Sequence, residues 1–172
     1  MIRKISLAVL IILCVLWTGF IFSNSLETAE VSGEKSSGIT EKVNEVAHAV
    51  GIEKEITQSD VRDMAHFSEF AVLSALLSAT VAVGIYPHFK RRLIPMLSLS
   101  AVSLPASFIL ACIDELLQKL SDGRASQFSD VLLDTLGAFT GAVGVSLVIL
   151  LVYFIANKKK IRMKSRGSCL RR

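Results

Sequence analysis

The stretch TLGAFTGAVGVSLVILLVYFIAN, Thr135–Asn157, carries no charged side chain, and Lys158, Lys159 and Lys160 follow it at once. As a helix rising 1.5 Å per residue it is long enough to cross about 30 Å of hydrocarbon. A soluble surface helix of this length needs a polar face, and this one has almost none. Working outward, Ile5–Phe22 and Leu93–Ile113 are also free of charge, and Phe70–Phe89 holds only His88 as a titratable group. The reading is therefore all-α: a polytopic membrane protein, a four-transmembrane-helix bundle with a short extracellular amphipathic helix. Composition agrees, with 52% apolar residues before glycine is counted and a mean hydropathy of +0.55; soluble domains reach about 45–50% with glycine included.

Orientation follows from the bases. Arg3 and Lys4 precede the first run, Lys90, Arg91 and Arg92 sit in a short link without acids, and the tail from Lys158 to Arg172 is strongly basic. The segment 23–63 instead sets four bases against nine acids. Basic loops stay in the cytoplasm, so both ends and the 87–92 link are expected on the cytoplasmic side of the membrane. Residues 1–157 then form one transmembrane domain, with spans at about 5–24, 64–86, 93–113 and 134–156 and an outer loop at 25–63. Residues 158–172 form a basic cytoplasmic tail suited to anionic lipid headgroups. A cleaved signal peptide is the rival reading of the first run, but its apolar stretch is long and no small-x-small site follows.

The outer loop carries its own pattern. Ile39, Val43, Val46, Ala47 and Val50 recur at helical spacing, and Gly51 is placed to end that helix. Thr57 with Asp60 marks the start of the second span, Asp122-Gly123 marks a turn, and Pro105 is expected to kink the third span. The basic tail lacks the aromatic interleaving of a nucleic-acid surface, so no nucleic acid partner is expected. Cys14, Cys112 and Cys169 have neither disulfide nor zinc spacing.

Counting about 20 residues from the cytoplasmic end of each span brings its polar residues to one level, the outer edge of the hydrocarbon. The counts arrive at Asn24, at His66, beside Asp114, and within a turn of Asp134. At about 100° per residue, Arg62, His66 and Glu69 share a face of the second span. Asp114 and Gln118 share one on the third, continued inward by Ser107, Ser103 and Ser100. The fourth aligns Asp130, Asp134, Gly137, Gly141 and Gly144, a small-xxx-small stripe for close helix approach. Each feature also has a structural account: Arg62 snorkels to headgroups, Asp130 and Asp134 suit a helix N-terminus, and the serines hold helices together. Their convergence favours a site, because ionisable groups at membrane depth are costly.

The ordered set His66-Phe-Ser-Glu69-Phe70, Asp114-Glu115-Leu-Leu-Gln118, Gly123-Arg124, Ser129-Asp130-Val131 and Gly137-Ala-Phe-Thr-Gly141 resembles the VanZ-like membrane proteins. The Phe22-Ser23-Asn24-Ser25 exit from the first span is similar too, and the likeness runs from Ile5 to about Phe154. Two positions depart: Asp134 stands where asparagine is expected, and Ser121-Asp122 precede Gly123-Arg124 where proline is common. The resemblance implies an envelope protein linked to tolerance of the glycopeptide teicoplanin, and it brings no settled reaction.

The function expected is binding or modification of an envelope component or lipid-bearing molecule at the outer leaflet. His66, Glu69, Asp114 and Asp130 are the candidate catalytic residues. Arg62, Glu115, Gln118, Arg124 and Asp134 are the candidate substrate contacts, with the two arginines suited to an anionic group. Whether the chain is an enzyme stays open; if it is, acid–base hydrolysis or group transfer fits these side chains. No cofactor or metal is assigned, since a divalent cation on His66, Glu69, Asp114 and Asp130 lacks diagnostic spacing. Expected partners are membrane lipids and a lipid-linked envelope intermediate or lipoglycopeptide. The alternatives are a non-catalytic bundle limiting antibiotic access and, less favoured without broken helix pairs, a small transporter.

Overall fold

A computed structural model of the chain describes residues 1–85, 102–123 and 127–169. The 87–92 link, Pro95, Ser100 and Arg124 lie outside the described residues, as does the first half of the span expected at 93–113. Five helices make up what is described: α1 Ile2–Ser25, α2 Ala29–Ala49, α3 Gln58–Ile85, α4 Ser103–Leu120 and α5 Phe128–Cys169. Among the described residues, α1, α3 and the Phe128–Ala156 part of α5 are long and apolar enough to cross a membrane. The chain is a multi-pass membrane protein.

Local chemistry sets the helix ends. The α2 N-cap is Thr28, whose hydroxyl accepts from the Val31 N–H at 3.4 Å. At its other end Gly51 turns left-handed (φ 83°). The Ile52 N–H then reaches the Ala47 carbonyl at 2.9 Å and the Gly51 N–H the His48 carbonyl at 3.0 Å, the paired bonds of a Schellman stop. Before α3, the Thr57 N–H donates to Asp60 Oδ2 at 2.9 Å and the Asp60 N–H to Thr57 Oγ1 at 3.2 Å, a reciprocal capping box. Gly123 (φ 75°) turns the chain after α4. Beside it the Asp122 carbonyl accepts from the Ala29 N–H, fastening this turn to the start of α2. Pro105 lies in the first turn of α4, where its missing N–H removes no helical bond.

Two expectations about extent change. The outer helix begins ten residues before Ile39, because tertiary bonds hold its polar first half: Gln58 Nε2 donates to the Gly33 carbonyl and to Ser36 Oγ, both at 2.7 Å. Meanwhile α5 does not stop at Asn157 but runs on to Cys169 through the basic tail. At 1.5 Å per residue its 42 residues span about 63 Å, twice the hydrocarbon thickness.

The closest packing joins α3 to α5. A Cβ added at Gly137 would run into the backbone of Phe67, and one at Gly141 into the backbone of Ala71 and Ala75. Gly144, one turn further, faces open space. The small-residue stripe therefore lets two backbones touch over two turns and then part. On the side of α3 toward α4, Ser103 Oγ lies 2.6 Å from Ser78 Oγ and 3.4 Å from Ser74 Oγ, and all three are buried. Ile21, Phe70, Leu73, Ala111, Val131 and Ala138 form the apolar core between four helices.

Candidate functional site

The C-terminal end of α1, the start of α3, the C-terminal end of α4 and the start of α5 meet at one end of the bundle. Asn24 Nδ2 donates to Glu69 Oε1 at 2.9 Å, and Trp17 Nε1 donates to the Glu69 carbonyl at 2.9 Å, which ties α1 to α3. Ser25 Oγ donates to Asp114 Oδ1, and Gln118 Nε2 donates to Asp114 Oδ2 at 2.9 Å. The Asp114 carboxylate is thus oriented from two sides with none of its surface exposed.

His66 faces two acids from two other helices. Its Nδ1 lies 3.6 Å from Asp134 Oδ1 and 4.0 Å from Asp114 Oδ2. The register of α5 explains this: Gly137 seats on Phe67, so Asp134 one turn earlier comes level with His66. Asp134 is wholly buried, and neither of its carboxylate oxygens accepts a hydrogen bond among the described residues. Two carboxylates and an imidazole thus share a small volume away from water, an arrangement that is costly unless charge is compensated.

A cavity of about 340 Å³ opens beside this cluster between α1, α2 and α3. Its wall includes Asn24, Ser25, Arg62, His66 and Glu69 from the bundle and Lys35 and Ile39 from α2. Asp114 and Asp134 lie one layer behind, reached through Ser25 and His66. Arg62 is exposed, forms no ion pair among the described residues, and also borders a second cavity of about 410 Å³ with Gln58 and Gln127.

The sequence-derived candidates thus divide by placement. Arg62, His66 and Glu69 line one cavity, while Asp114, Gln118 and Asp134 are buried beside it. Glu115 is buried too, but its Oε2 accepts from the Gln127 N–H at 3.0 Å, bracing the approach to α5. Asp130 sits half-buried near the start of α5 with its Oδ1 accepting from Ser129 at 3.0 Å, so Asp134 rather than Asp130 faces His66. Ser25 was not among the candidates; its serine type and its place at the end of the first span were the available signals.

A family model described as VanZ/LLP1 matches residues 10–156. The chain belongs to the VanZ/LLP1 family. That match takes in every residue of the cluster and of the α3–α5 glycine contact. No curated protein and no solved structure matches.

Proposed function

We propose that this VanZ/LLP1 protein binds or modifies a lipid-borne envelope component at the outer leaflet and so contributes to teicoplanin tolerance. The observation that carries the reading is the meeting of His66, Asp114 and Asp134 from three helices beside an open cavity. A bundle that only needed to fold would place apolar residues there, since ionisable groups at membrane depth are costly. Arg62 would hold a phosphate or carboxylate at the mouth, and Arg124, outside the described residues, is proposed as a second anion contact from the sequence alone. His66 would exchange a proton with the bound group, and Asp114 and Asp134 beside its ring would stabilise the charged form.

The proposed frame is four spans within residues 1–157, both ends cytoplasmic, with the basic 158–172 tail on the cytoplasmic side. On it α2 would lie outside, and its exposed Ile39, Val46 and Val50 would meet the outer leaflet. In a cysteine-free background, Glu45→Cys and Gln127→Cys should react with an impermeant thiol reagent on intact cells, and His88→Cys should not. Labelling at 88 from outside contradicts the frame. The site itself is tested by His66→Ala and Asp114→Ala, each expected to abolish teicoplanin tolerance in a sensitive Gram-positive host at unchanged membrane abundance. Full tolerance in both would sink the reading.

A further inference from the structure

The geometry points to a divalent-cation site formed by His66 Nδ1, Asp114 Oδ2 and Asp134 Oδ1, suited to a first-row metal such as zinc or manganese. This deepens the reading above by giving the same site an inorganic ligand. Three observations carry it. First, each of the three side chains offers a ligand atom within 4.8 Å of the other two, and His66 Nδ1 lies 3.6 and 4.0 Å from the two acids. Ligands about 2.1 Å from a tetrahedral ion stand about 3.4 Å apart, so side-chain shifts of about an ångström close the set on an ion. Second, the Asp134 carboxylate is fully buried and accepts no hydrogen bond among the described residues, although it is aimed at this point. The 3.6 Å separation from His66 is too long for a hydrogen bond. Third, Asp114 is already oriented by Ser25 and Gln118, the outer-shell support that fixes a metal-ligating carboxylate.

One imidazole nitrogen with two carboxylates suits zinc, manganese or iron rather than a soft thiophilic ion. Such an ion offsets the two buried negative charges and keeps a coordination position for a water or an anionic headgroup oxygen. The set comes from three different helices, 48 and 20 residues apart along the chain, so no sequence spacing announces it.

The test uses the full chain purified in detergent, stripped with a chelator and titrated separately with Zn²⁺ and Mn²⁺. The expected result is one ion per chain, a raised melting temperature, and at least tenfold weaker binding in Asp134→Asn. The exposed-site control Asp63→Asn should bind as the natural chain does. X-ray absorption of the zinc-loaded natural chain should show nitrogen and oxygen ligands near 2.0–2.1 Å, whereas sulfur near 2.3 Å would place the ion on cysteine. Absence of a stoichiometric ion, sulfur ligation, or undiminished binding in Asp134→Asn overturns the inference. These readouts need no tolerance assay: a chain that binds no metal yet loses tolerance in His66→Ala defeats this inference alone. One that binds metal yet keeps full tolerance in His66→Ala and Asp114→Ala defeats the functional reading alone.

Discussion

At one end of the bundle Asp114, Asp134, Gln118 and Ser25 keep at most 2% of their surface exposed, while along α5 Leu147, Val148, Leu151 and Phe154 expose about 60%. In a soluble protein both observations would be faults. In a bilayer the exposed leucines and valines meet lipid, their proper solvent, and cost nothing. The buried acids have no such gain from lipid, and Asp134 accepts no hydrogen bond among the described residues, so their placing at membrane depth calls for a use. The contrast separates what folds this chain from what it does: small residues and lipid-facing apolar surface build the bundle, and the polar end is added to it.

The comparison breaks first at the glycines. Gly137→Leu or Gly141→Leu would drive side chains into the backbone of α3, a cost of more than about 3 kcal/mol. Detergent extraction should then return little folded protein. Gly144→Leu, with nothing within 4 Å of its added Cβ, should extract and melt like the natural chain. Equal yields from all three would show that the α3–α5 contact does not hold the bundle together. The smaller effect is at Ser78, whose hydroxyl pairs with Ser103. Ser78→Ala should lower stability by only about 0.6 kcal/mol, the average for such interhelical bonds. A shift of several degrees in melting temperature would mean the serine stripe does more than join α3 to α4.

Much of the bundle is legible in the sequence, for definite reasons. Charge-free length marked the three helices that are long and apolar enough to cross a membrane among the described residues, and the Thr57–Asp60 box and Gly51 marked helix ends by local chemistry alone. The first half of α2 was not legible, because Gly33, Ser36, Ser37 and Gly38 are poor helix formers. It is held by Gln58, 22 and 25 residues away. The tail's helix was hidden as well, since its charges signal the membrane boundary but its lysines and arginines are good helix formers. For the site, span lengths brought His66, Asp114 and Asp134 to one level. Which acid faces His66 depends on Gly137 seating at Phe67, a pairing of two helices that neither one's periodicity contains.

The central claim is that residues from separate helices act together, and a double-variant cycle addresses it most directly. His66→Ala, Asp114→Ala and the combined variant are to be expressed at equal membrane abundance and scored for teicoplanin tolerance. Groups that act as one unit are not additive, so the account predicts that each single loses tolerance and the double is no worse. Partial single losses that multiply in the double would show two independent helix-end residues, and the shared site would be wrong.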